Sequence, residues 1–69
     1  MRITDLEVAA YLHATGYKLT GTERDGRRMV FDFEATEEDL LGYVNGEAMV
    51  NAYALYSSFR AMKALTRQP

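Results

Sequence analysis

The sequence has no cysteine, one histidine and one proline in 69 residues. Without cysteine no disulfide can brace the fold, and a cysteine-rich metal site is excluded. The absence suits a reducing compartment. Long apolar runs are missing too: none approaches the roughly 18 residues of a membrane span. The segment "MRITDLEVAA" has acids where a signal peptide needs an unbroken apolar core. A cytoplasmic protein without membrane contact is the expectation. No internal repeat, low-complexity tract or linker is present. Gly21, Gly26 and Gly46 fit no phosphate-loop spacing. The lone proline, Pro69, is expected to lie in a frayed end.

What remains is an ordinary globular composition in one small domain. A chain of this size buries only about 60% of its unfolded surface, so its stability is marginal. Net charge is −2, which argues mildly against tight nucleic-acid binding, but the charge is uneven. Residues 34–47 carry Glu34, Glu37, Glu38, Asp39 and Glu47 and no base; residues 51–69 carry Arg60, Lys63 and Arg67 and no acid. Residues 24–28 set Arg24, Arg27 and Arg28 against Asp25. Acids at a helix start and bases at a helix end complement the macrodipole. The same asymmetry can also steer a partner.

"TDLE" reads as a capping box with Thr4 as N-cap and Glu7 at N3, Ile3 and Val8 forming a hydrophobic staple. Leu6, Ala9, Ala10, Leu12 and His13 then share one side of a helix that ends at Gly16. The two alanines permit close approach of another element. A hairpin follows. A two-residue Asp25-Gly26 turn would scatter the aromatics over both faces. A three-residue loop, Arg24-Asp25-Gly26, puts Leu19 opposite Phe31 and Tyr17 opposite Phe33, and leaves only Val30 on the far face. The three-residue loop is therefore expected. Thr36 caps a second helix whose first turn holds Glu37, Glu38 and Asp39. Asn45-Gly46 ends it; "EAMV" is either a short connector or a continuation of the helix, the connector being favoured, with Asn51 capping a third helix that reaches about Arg67. The fold class is α+β: a small α-β-β-α-α domain with a two-stranded antiparallel hairpin packed on helices.

With those elements placed, the chain resembles a family of short bacterial and phage proteins known as a domain of unknown function. "TDLEVAAYLHATGYKL", "GTERDGRRMVFDFE" and "YVNGEAMVNAYALYSSFRAMKAL" carry the likeness. They match a Thr-x-Leu start, an Ala-x-Leu…Gly helix end, a Phe-x-Phe strand and a Tyr-x-x-Gly-Glu…Val turn. The family's Phe…Leu-Lys helix becomes Phe59…Met62-Lys63 here, a small departure. The resemblance implies that Tyr43, Gly46, Glu47 and Val50 form a fixed turn. It brings no activity with it, and suggests an accessory protein of a mobile element.

The chemistry in view is thin. A metal site would need three or four ligands, and a catalytic triad a nucleophile and an orienting acid. His13 is expected on the core side of the first helix, and Ser57 and Ser58 on the surface without a base nearby. Glu37, Glu38 and Asp39 offer oxygens to a hard cation, but helix neighbours diverge and the dipole explains the run. Tyr17, Tyr43 and Tyr56 fit the core pattern. No catalytic residue, cofactor or metal is expected. The leading expectation is a non-enzymatic binding or adaptor protein that pairs with itself as a homodimer and meets a further protein partner. The alternative is a nucleic-acid accessory in which Arg24, Arg27 and Arg28, with Arg60, Lys63 and Arg67, contact phosphates.

Overall fold

The computed structural model describes residues 1–67; Pro69 lies outside them. Its elements are strand β1 (Arg2–Ile3), helix α1 (Leu6–Ala14), strands β2 (Leu19–Asp25) and β3 (Arg28–Phe33), helix α2 (Leu41–Val44) and helix α3 (Ala52–Thr66). The α+β class holds, but the sheet has three antiparallel strands in the order β1-β3-β2, not two. Arg2 pairs with Asp32 and Ile3 with Phe31. Ile3 is thus a strand residue in the core rather than a helix staple. Its strand covers one flank of the hairpin that the sequence pattern leaves open.

Helix α1 starts one residue later than the capping-box pattern implies. Asp5, not Thr4, is the N-cap, and its carboxylate accepts from the Glu7 and Val8 backbone N–H groups. Asp and Thr are both good caps. Drawing Ile3 into the sheet moves Thr4 into the link between strand and helix.

The hairpin register differs from both alternatives. Asp25 pairs with Arg28, Arg24 with Met29, Glu23 with Val30 and Thr22 with Phe31. The loop is Gly26-Arg27. Gly26 has φ +64°, while no described residue other than glycine, Arg27 included, has positive φ. A positive first position and a negative second is the sign pattern of a type II′ turn, which takes glycine first. A bulge between Leu19 and Gly21 then shifts the register, and Leu19 pairs with Phe33. The extra residue is Thr20. It lets Leu19 share a face with Phe33 although Thr22 and Arg24 occupy that face further along.

One face of the sheet carries the core. Ile3, Phe31 and Phe33 pack with Ala9 and Leu12 of α1 and Met62 of α3. Ala9 and Ala10 are fully buried, as close helix approach requires. Val30, the apparent outlier, lies on the opposite face yet is only 3% exposed. There the Arg2 guanidinium meets Glu23 at 3.1 Å, reaching across the central strand, with Asp32 at 3.8 Å. The second helix is shorter than expected. A 3-10 turn over Glu38–Leu40 leads into the single turn of α2. Thr36 does not cap it through its own oxygen. Instead its N–H and hydroxyl donate to the Asp39 carboxylate at 2.8 and 3.1 Å. "EAMV" is a connector, and Asn51 caps α3 by accepting from Ala54 N–H at 2.9 Å.

Candidate functional site

Helix α2 ends in a tight reversal that shapes an apolar concavity. Gly46 has φ +74°, and the Gly46 N–H donates to the Tyr43 carbonyl at 3.2 Å. The Glu47 N–H donates to the Gly42 carbonyl at 2.8 Å. This is the Schellman arrangement, and its left-handed position favours glycine. The connector turns back at that point, and Val50 is placed near Leu55 and Phe59 of α3. Across from them stand Glu7 and Tyr11 of α1. Between these walls runs an open apolar groove of about 350 Å³. Tyr11 and Tyr43 meet in it with ring centroids 5.0 Å apart and planes tilted by 42°. Burial first, and then the charges of Asp5 and Glu7, push the Tyr43 phenol above its ordinary pKa. The groove is therefore aromatic inside and anionic along the α1 wall.

The exposed side of α3 is different in kind. Tyr53 is 80% exposed and Tyr56 61%. Tyr56 is thus a surface residue, not a core one: the buried side of the helix passes through Ser58 and Met62. The Arg60 guanidinium stands 5.7 Å from the Tyr56 ring centroid, within cation–π range. Arg60, Lys63 and Arg67 line a second depression with Tyr56 and Phe59. The three bases of the last helix are thereby brought together. Helix α3 has no acid among residues 52–66.

The hairpin arginines separate into different situations. Arg24 points toward α3, donating to the Thr66 carbonyl at 2.7 Å. That carbonyl belongs to the last turn, where acceptors lack intrahelical donors. Arg28 lies 3.9 Å from Asp25, and Arg27 is exposed in the turn. The Arg24 contact sets the hairpin tip beside the basic end of α3.

His13 and Ser58 depart from expectation. The two serines were expected on the surface, far from a base. Ser58 is 6% exposed, and its Oγ shares a 2.8 Å hydrogen bond with His13 Nδ1. His13 itself is exposed overall and joins α1 to α3 through this bond. Among the described residues no acid bonds to its other nitrogen, so the pair lacks the orienting group of a triad. Among the described residues no group of three or more His, Asp or Glu side chains is placed to hold a metal ion. None of the described helices is long and apolar enough to cross a membrane.

Asp39 has local work. The Thr36 backbone N–H chiefly holds its carboxyl below the usual range; the Thr36 and Tyr17 hydroxyls help, and burial opposes them. Tyr17 is raised in turn, by burial first and then by its bond to Asp39. Tyr11 and Tyr53 were not singled out by the sequence pattern. The available signal was spacing: Glu7 and Tyr11 at i, i+4, and Tyr53, Tyr56, Arg60, Lys63 at 3-4-3 intervals along one helix face.

A small α+β domain with an apolar groove and a basic, aromatic helix face is the class so defined. Residues 1–68 match the family described as "Domain of unknown function (DUF5659)", and the chain belongs to it. No curated protein and no solved structure matches it.

Proposed function

We propose that this protein is a non-enzymatic binding module of the cytoplasm that works through protein–protein association, with a second copy of itself as its first partner. One observation carries this reading. Large apolar side chains are turned to solvent on the elements that wall the groove: Val44 of α2, Met49 of the connector, and Tyr53 and Tyr56 of α3, with Met49 95% exposed. Large apolar side chains exposed on neighbouring elements beside an apolar concavity point to an interaction surface. A small core adds motive for association, since surface buried against a second copy supplements it. The likeness to short bacterial and phage proteins makes an accessory role in a mobile element the natural setting. The test is molar mass by light scattering across micromolar concentrations. Dimer mass that falls on dilution supports the proposal; monomer mass throughout rejects self-association.

A second reading has its own observation. The Arg24–Thr66 bond puts Arg27 and Arg28 at the same end of the molecule as Lys63 and Arg67. A basic surface interleaved with Tyr56 suits single-stranded nucleic acid, where bases stack on aromatic rings. Binding to a fluorescent oligonucleotide at low salt would support it if affinity falls steeply with added salt. The informative variant changes Arg27 and Arg28 to alanine and keeps Arg24, whose side chain serves α3. Absence of any low-salt affinity in the wild type removes this reading.

A further inference from the structure

Resting on the self-association reading, we propose that two copies pair about a two-fold axis across α3. The Tyr53–Tyr56–Arg60 ridge of each seats over the Tyr11–Tyr43 groove of the other, and Arg60 of each copy meets Glu7 of the other.

The first argument is adjacency. Groove and ridge meet on α3 and share a border there. Leu55 and Phe59 line the groove, while Phe59 also lines the depression that holds Tyr56, Arg60 and Lys63. The Tyr53 and Tyr56 side chains, 80% and 61% exposed, stand out to solvent beside the groove, so each copy can offer them to the groove of the other in a single closed contact. A two-fold interface needs that self-complementarity, whereas widely separated halves would join head to tail and give open chains.

Charge gives the second argument. Glu7 is exposed on the groove wall, and it acts with Asp5 on the Tyr43 hydroxyl. The ridge carries Arg60, Lys63 and Arg67 without an acid on α3. Arg60 is held over its own Tyr56, so guanidinium and ring are presented together. An aromatic side chain with an adjoining cation is the complement of an aromatic groove with an anionic wall. Tyrosine and arginine are also the residues that most often anchor interfaces.

Size is the third. A standard interface takes roughly 800 Å² from each partner, a modest share of the 4923 Å² that this protein exposes. The outer edge of β2 is the rival surface and is poorly made for pairing. The Thr20 bulge interrupts it, and Glu23, Arg24 and Asp25 crowd its exposed end. Bulges and charges are how edge strands avoid each other.

The test uses Glu7→Arg and Arg60→Glu in the full chain, each alone and then mixed in equal amounts, with mass read by sedimentation. Each variant alone places like charges together at both contacts, and its self-association should weaken by about tenfold or more. In the mixture both contacts become opposite-charge pairs, so a heterodimer of wild-type strength should return. Unfolded chains could not produce that recovery. If both single variants dimerise like the wild type, this face is wrong while self-association stands. If the singles dissociate and the mixture does not recover, the Glu7–Arg60 pairing is overturned. Monomeric wild type at the same concentrations removes both the face and the self-association reading.

Discussion

The bond between His13 and Ser58 fixes what each residue does for stability. Ser58 is buried and polar, so its hydroxyl needs a partner. His13 supplies one from outside the core. Replacing His13 by leucine leaves the hydroxyl short of that partner, and should cost about 1 kcal/mol in urea unfolding. Adding Ser58→Ala to His13→Leu removes the orphaned group and should recover part of the loss. If the double variant is no more stable than His13→Leu, the bond carries little. Asp39 supports a pH prediction. Its folded pKa lies below the ordinary 3.8. Its contribution is therefore complete above 3.8 and is lost as pH falls through the lower folded value. Asp39→Asn should be less stable than wild type at neutral pH, and the two stabilities should converge well below 3.8. A constant gap down the acid limb would show that the charge on Asp39 plays no part.

Both glycine-terminated helix ends and the start of α3 were legible, each set by a local hydrogen bond, whereas the cap of α1 was read one residue early. Gly16 ends α1 as Gly46 ends α2, with Tyr17 N–H donating to the Leu12 carbonyl at 3.0 Å. Asn51 starts α3 through a bond to a residue three positions on. Such signals depend on a few neighbouring residues, so a sequence carries them openly. Asn51→Ala should accordingly cost about 1 kcal/mol in thermal or urea unfolding, a value typical of a lost N-cap. The hairpin register was not legible. Alternation assigns faces only while pairing is continuous, and the Thr20 bulge changes parity within β2. With that break, Leu19 reaches the core although Arg24 and Thr22 share its face. β1 was hidden for another reason: two residues are too short to show a period, and its pairing with β3 is set by contacts about thirty positions away. The Arg24–Thr66 contact is equally non-local. Arg24→Ala should speed amide exchange in the last turn of α3 and leave its first turn unchanged. Equal exchange in both variants would mean that the helix end holds without the arginine.

The whole molecule concentrates its core in few side chains. At roughly 0.05–0.15 kcal/mol per residue, a chain of this length has a folding free energy of about 3–10 kcal/mol. Phe31 is completely buried between sheet and helices, and truncating such a side chain to alanine costs about 3–5 kcal/mol. Phe31→Ala should therefore lose about half or more of that free energy, read as a fall in the urea midpoint by a similar fraction. The candidate site was only partly legible, because grooves arise from relations between elements. Arg60, Lys63 and Arg67 stood out as a charged tract, but the groove beside them needs the Gly46 reversal to bring Tyr43 against Tyr11. If a second copy binds over that groove, association and folding are linked, since a partner that binds only the native state stabilises it by mass action. The melting temperature of the wild type should then rise with protein concentration. Glu7→Arg weakens the pairing without touching the Ile3, Leu12, Phe31, Phe33 and Met62 core. Its melting temperature should depend much less on concentration, and should lie somewhat below the wild-type value at high dilution because the acid in the first turn of α1 is lost. A concentration dependence that survives undiminished in Glu7→Arg would place the stabilising contact elsewhere on the molecule, with the outer edge of β2 the next surface to examine.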